Sequence, residues 1–241
     1  MPAPMLIEIC VDSPNGLAAA IAGGADRIEL CGALATGGLT PSAGLLAQAR
    51  TCPVPVRVMI RPRAGDFRFS AAEQDAMRRD IDAVREAGLD GVVIGASDAA
   101  GALDAALIAR LVDHAAGLRV TLHRIVDLLP DPAEAVDLAV ALGIATILTS
   151  GGAPTAWEGA TTIRAMRERA AGRVEILAGG GVRPDNAAAL VAATGVSAVH
   201  ASCSGPVDGN DPRLVRLGFS SGQERVTDAA AVARLRAVLC P

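Results

Sequence analysis

Gly24-Ala-Asp-Arg-Ile-Glu-Leu-Cys31 follows an Ala-rich stretch and sets Ile28 and Leu30 in alternation with Glu29 and Cys31. A glycine there is the left-handed residue that ends a helix, and the short apolar run behind it reads as a strand. The same signature returns as Gly88-Leu-Asp-Gly-Val-Val-Ile-Gly95, Gly117-Leu-Arg-Val-Thr-Leu-His123 and Gly143-Ile-Ala-Thr-Ile-Leu-Thr-Ser150. It returns twice more, as Gly172-Arg-Val-Glu-Ile-Leu-Ala178 and Gly195-Val-Ser-Ala-Val-His-Ala-Ser202. Leu6–Cys10 and Val56–Ile60 bring the predicted strands to eight, each buried on both faces. Between them stand helix-start signals: Ser13-Pro14, Asp131-Pro132, the capping box Ser70-Ala-Ala-Glu73, Pro184 and Thr227-Asp228. No shift in composition divides the chain. Eight even βα units predict one α/β domain over residues 1–241, a single (β/α)8 TIM barrel. A doubly wound open sheet uses the same units and differs only in strand order.

The 241 residues suit such a barrel, and a 51% hydrophobic content supplies a large core. Aromatics are only 2%, which argues against stacking platforms for single-stranded nucleic acid. A net charge of −4 points to neither nucleic acid nor an anionic membrane. All 22 basic residues are arginine. The absence of lysine excludes Schiff-base aldolases, pyridoxal-phosphate enzymes and Walker-A nucleotidases. Met1–Leu6 has no signal-peptide pattern and no apolar run reaches membrane-span length, so a soluble cytoplasmic protein is expected. Five cysteines without a C-x-x-C pair argue against a disulfide framework or a zinc finger, and read as reduced, mostly buried thiols.

Function in this fold sits at the C-terminal ends of the strands, and strand parity says which side chains enter the barrel. Parity turns Glu8, Cys10, Glu29, Cys31, Thr121, His123, His200 and Ser202 inward. It gives Arg61 and Arg63 the parity of Met59, with Arg124 just beyond His123. Buried charges need partners, so these residues form either an ion-pair network that closes the barrel mouth or a site for an anionic ligand. In the second case Arg61 and Arg63 clamp the anion, while Glu8, Glu29, His123 and His200 handle protons or a metal. The glycine turns Thr149-Ser150-Gly151-Gly152 and Gly179-Gly180-Gly181 would let backbone amides approach a phosphate, or serve simply as tight turns. Cys10, Cys31 and Cys203, on neighbouring strands once the barrel closes, could hold a soft ion such as Cu(I). Parity supports the first two and leaves Cys203 open. Cys52, Cys240 and Trp157 read as packing residues, His114 and the Arg78-Arg79 pair as exposed.

Glu8-Ile-Cys10, Gly24 to Cys31, Gly37-Gly-Leu-Thr-Pro-Ser42, Val58-Met-Ile-Arg-Pro-Arg-Ala-Gly-Asp-Phe67, Leu148-Thr-Ser-Gly-Gly152 and Ala178-Gly-Gly-Gly181 together resemble the CutC family. The match runs in order over most of the chain. It implies a (β/α)8 barrel, a cytoplasmic homodimer or higher homo-oligomer, and a part in binding or handling copper. Matched residue by residue, the family's rim positions are Glu8, Cys10, Glu29, Cys31, Arg61, Arg63, His123, Arg124, Asp127 and His200. One departure stands out: where the family has Thr-Phe-His-Arg-Ala-Phe-Asp, this chain has Thr121-Leu-His-Arg-Ile-Val-Asp127, keeping the polar residues and losing both aromatics. Two functions follow as expectations: a copper-binding homeostasis protein using Cys10 and Cys31, or an isomerase, epimerase or lyase acting on a phosphorylated or carboxylated small molecule. In the enzyme, Glu8 or Glu29 would be the base, His123 the acid, Arg61 and Arg63 the clamp, and Gly179–Gly181 the phosphate cradle. No organic cofactor is implied.

Overall fold

Ile7 and Ile9 are fully buried on one side of the first strand, while Glu8 and Cys10 are buried on the other. That alternation repeats around the molecule because the strands close on themselves. The computed structural model describes residues 5–207 and 211–240. Its strands are β1 (Leu6–Val11), β2 (Arg27–Leu30), β3 (Val56–Met59), β4 (Gly91–Ile94), β5 (Arg119–Leu122), β6 (Thr146–Thr149), β7 (Glu175–Gly179) and β8 (Ala198–Ala201). Each pairs with its sequence neighbours in parallel, and β1 pairs with β8, giving a closed barrel rather than an open sheet. The register sets Cys10 opposite Glu29 and Glu8 opposite His200.

The helices α1 (Pro14–Ala22), α2 (Ala43–Ala49), α3 (Ala71–Glu86), α4 (Ala105–His114), α5 (Glu134–Ala141), α6 (Ala160–Ala170) and α7 (Ala187–Thr194) follow β1 to β7 in turn. Beyond β8 come β9 (Ser204–Pro206), α8 (Pro212–Arg216), β10 (Arg225–Thr227) and α9 (Ala229–Leu239). Ser13, Ser42, Asp104 and Asp228 each accept an amide of the first helical turn, and Ser70 with Glu73 forms the expected capping box. Such caps contribute about 1 kcal/mol each. On α3, Met77, Ile81 and Val84 recur at helical spacing and are fully buried. The six glycines ahead of the strands (Gly24, Gly88, Gly117, Gly143, Gly172 and Gly195) all adopt positive φ, as a helix stop requires.

The main core lies between barrel and helices, built from the outward faces of the strands. Among the described residues, two small apolar groups lie inside the barrel, Cys31–Met59–Val93 and Leu148–Leu177–Ala198. The rest of the interior is polar.

Local details depart from expectation. Asp131 caps a turn at Ala133, and α5 proper starts only at Glu134. Pro184 likewise opens a turn ahead of α7, with Asn186 accepting the Arg183 amide. Trp157 falls in the turn before α6 and is 53% exposed, so it anchors no packing. Cys240 is exposed at the end of α9, whereas Cys52 packs against the main core. His114 is half-buried against Asp82, and Arg78 and Arg79 pair with Asp75 on an exposed face. Among the described residues no helix is long and apolar enough to cross a membrane. The reading of Met1–Leu6 as lacking a leader falls partly outside the described residues, which begin at 5.

Candidate functional site

Glu8 projects from β1 into the barrel and is almost wholly buried. One of its oxygens accepts the Nε of Arg27 from β2, and the other lies 2.7 Å from His200 Nδ1 on β8. Burial alone would raise the Glu8 carboxyl, but the His200 hydrogen bond and the Arg27 charge bring it down to about 2. Burial would likewise lower His200, yet Cys10, Glu29 and Glu8 together push it well above the ordinary histidine value. Glu8 and His200 thus form a buried ion pair. Glu29 differs: burial and the neighbouring Glu8 charge raise its carboxyl above the ordinary carboxylate range. Glu29 Oε2 lies 3.8 Å from His200 Nε2 and accepts Cys31 Sγ at 3.5 Å.

With Nδ1 of His200 turned to Glu8, its Nε2 faces Cys10 and Glu29. One donor atom from each of Cys10, Glu29 and His200 lies within 4.8 Å of the other two, and all three side chains are buried. Cys31 stands beside this group as a hydrogen-bond donor to Glu29, packed against Met59 and Val93, its thiol raised by burial and by Glu29. Cys203 is buried at the end of β8, with its thiol pushed up to about 11 by burial and by Cys10. It too is outside the three-donor group.

A second imidazole stands on the β5 side. Nδ1 of His123 accepts the Ile125 amide at 3.1 Å, so the neutral ring carries its proton on Nε2. Burial and the Arg61 charge lower this histidine to about 3. The ring sits 5.0 Å from that of Phe67, and the Arg61 guanidinium lies 4.7 Å above the same phenyl ring. Glycines make room for both imidazoles: a Cβ at Gly95 would overlap the His123 ring, and one at Gly179 would sit 3.1 Å from His200 Cβ.

Cys10, Glu29, Arg61, Phe67, His123 and His200 line a cavity of about 550 Å³ at the barrel mouth, a size suited to a small molecule. Among the described residues its wall carries five arginines (Arg61, Arg124, Arg183, Arg225 and Arg234) and a single carboxylate, Glu29. Three buried side-chain atoms lack a hydrogen-bond partner among the described residues: Glu29 Oε1, Arg61 Nε and His123 Nε2. All three residues line this cavity.

Other expected positions are arranged differently. The terminal nitrogens of Arg61 donate to the carbonyls of Thr36, Gly38 and Gly65, while its Nε is buried without a partner. Arg63 turns away from the cavity to Glu73, Asp66 and the Arg68 carbonyl, so no two-arginine clamp forms. In the turn after β6 the amides of Ser150 and Gly152 both donate to Asp127, and Gly151 donates to Thr149. That loop is filled by the chain's own carboxylate. Gly180 and Gly181 do line the cavity, as does Ser202, whose hydroxyl meets that of Ser204 at 3.0 Å; Gly179 serves instead to admit His200.

Sequence parity missed the lower interior. There Arg27 donates to Glu175 at 2.8 Å, and Arg57 donates to Thr121 and Thr146 at 2.8 and 2.7 Å. Arg27 shares parity with Glu29, and Arg57 with Met59, so the same count carried two residues down each strand finds them.

A sequence profile described as the CutC family matches residues 5–205. A family protein CutC of Rhizobium meliloti (strain 1021) is 55% identical over 233 residues, covering 97% of this chain and 95% of that one. Among solved structures, a protein of Streptococcus agalactiae provisionally named copper homeostasis protein CutC is 33% identical. It superposes with a TM-score of 0.78, covering 82% of this chain and 98% of that one. A phosphoribosyl anthranilate isomerase from Thermococcus kodakaraensis, 17% identical with a TM-score of 0.59, covers 98% of this chain and 99% of its own, and shares the fold alone. Profile, relatives and barrel agree over nearly the whole chain, which belongs to the CutC family.

Proposed function

We propose that this protein serves copper homeostasis by holding one copper ion, as cargo, between Cys10, Glu29 and His200. The observation that carries this reading is the convergence of these three donors at the base of an open cavity, with Glu8 behind His200. A carboxylate on the far nitrogen of an imidazole is the arrangement that orients a ligating histidine. One thiol, one imidazole and one carboxylate form a mixed set that suits copper or zinc better than a hard oxygen-seeking cation. Glu29 Oε1, buried without a partner, supplies an atom in need of one. The name of the S. agalactiae relative favours copper over zinc. All five cysteines are free, which supports a reducing, cytoplasmic setting.

The test is titration of the reduced, metal-free protein with Cu(I) against a competing chelator. One ion per chain is expected, with stoichiometric binding lost in Cys10→Ser and in His200→Ala. Glu8→Gln should weaken it about 10- to 100-fold, and Cys31→Ser should leave it largely intact. Wild-type binding no tighter than that of Cys10→Ser sinks the proposal.

A second reading, enzymatic proton transfer on a small anionic molecule, is favoured by the five arginines and the three unpartnered atoms around one cavity. Glu29 would be the acid or base, and His123 a neutral donor through Nε2. Its test is binding of small carboxylates and phosphoesters, followed by solvent deuterium exchange into any ligand that binds. An absence of anion binding removes this reading.

A further inference from the structure

The backbone amides of Gly180, Gly181 and Val182 donate to no protein group among the described residues, although all three residues line the cavity. A Cβ at Gly180 would lie 3.5 Å from Arg124 Cζ and 3.6 Å from its Nη1, so this bare backbone and that guanidinium approach the same spot. Arg124 is held there by Asp127 at 2.8 Å through Nε and by the Ser150 hydroxyl at 2.6 Å through Nη2. Its Nη1 remains available. The carboxylate that fills the β6 turn therefore also aims the arginine that faces the β7 turn.

We infer that Gly180–Val182 and Arg124 form the seat of a phosphate group, and that the ligand of the cavity is a phosphomonoester whose other end bears acceptor oxygens. This rests on the enzymatic reading above and gives its substrate a class. Peptide amides together with a guanidinium recognise a tetrahedral dianion, offering several donors and a fixed positive charge. Arg225 and Arg234 add positive charge on the same side, each tethered within the segment beyond β8: Arg225 to Ser204, Arg234 to Asp228 at 3.7 Å. Across the barrel, His123 Nε2 and Arg61 Nε are both hydrogen-carrying and both unpartnered, so what they lack is an acceptor. A carbonyl or carboxylate oxygen supplies it. Glu29, whose Oε1 is the third unpartnered atom, lines the same cavity and is its one carboxylate among the described residues.

Isothermal titration with inorganic phosphate, glycerol 3-phosphate, glycerate and glycerol at fixed ionic strength tests the assignment. Phosphate and glycerol 3-phosphate should bind and compete with each other, while glycerol should not bind. Arg124→Gln should weaken both by at least about tenfold, the loss of one charge-assisted hydrogen bond. Asp127 keeps Thr149 and the Ser150 and Gly152 amides in that variant, and circular dichroism checks its fold. Arg234→Ala, on the rim, provides a second variant should the first not fold, with a smaller loss in the same direction. Arg169→Ala, paired with Asp137 far from the cavity, should change nothing. Phosphate binding no stronger than that of chloride, or equal in wild type and the cavity variants, overturns the inference. Glycerate binding without phosphate binding overturns it while leaving the enzymatic reading intact. If neither anion binds, both fall.

Discussion

The lower and upper halves of the barrel interior both carry charged and hydroxyl or imidazole side chains, yet among the described residues only the lower half is complete. Below, Arg57 gives its terminal nitrogen to two threonine hydroxyls, Thr146 donates to Glu175 at 3.1 Å, and Arg27 joins Glu175 to Glu8. Above, Glu29, His123 and Arg61 each keep one atom without a partner. An unmet buried polar atom costs about 1–3 kcal/mol. On the readings proposed above, that gap is the space a ligand would fill. The lower half is closed on itself, while the upper half keeps these atoms open to the cavity.

Breaking the lower network should have the largest effect. Arg27→Met leaves Glu8 and Glu175 without their shared cation and should destabilise the protein by about 3–5 kcal/mol, read from the urea midpoint. A loss below about 1 kcal/mol would mean that the lower network is not what holds the interior together.

The upper half should show itself through pH. His123 stays neutral in the folded protein down to about pH 3, whereas the unfolded chain takes up that proton near 6.5. The unfolded state binds more protons between those values, so stability falls as pH drops through the window. Glu8 adds its own acid loss only below 4.5, and Glu29, whose raised carboxyl acts in the opposite direction, is common to wild type and variant. Between pH 6.5 and 4.5 the wild type should lose on the order of 2 kcal/mol more stability than His123→Asn. Parallel stability curves for the two proteins would show that His123 is not buried as a neutral ring.

The smallest effect belongs to Arg63→Ala. Its partners lie outside the cavity at the start of α3, so the urea midpoint should move little and copper and phosphate binding not at all. A change in either affinity would put Arg63 back beside Arg61 as a clamp.

The sequence made the eight strands, their closure and the inward set Glu8, Cys10, Glu29, His123 and His200 legible, because a period of two survives along each regular strand. Arg63 shows where that reasoning stops. β3 ends at Met59, Pro62 breaks the alternation, and parity carried past the break points the side chain the wrong way. The candidate metal donors show a second limit. Cys10 and Cys31 share a parity, but the register sets Cys10 against Glu29, so a carboxylate and an imidazole stand where a second thiol was expected. Stagger between strands leaves no mark in a single sequence. Glycines in the β6 turn signalled uncovered amides correctly, yet their occupant, Asp127, lies too far back in the chain for local reading to connect the two.

The contact between Glu8 and His200 joins residues 192 positions apart, and that between Arg27 and Glu175 spans 148. Glu8 and Arg27 emerge early from the ribosome and find each other only 19 residues apart. Their remaining partners are synthesised near the end. Until β7 and β8 exist, a collapsed β1–β2 pair would bury a carboxylate and a guanidinium with half their contacts missing. The charged interior thus penalises premature collapse, and makes the last strands to be translated the ones that let the first two settle.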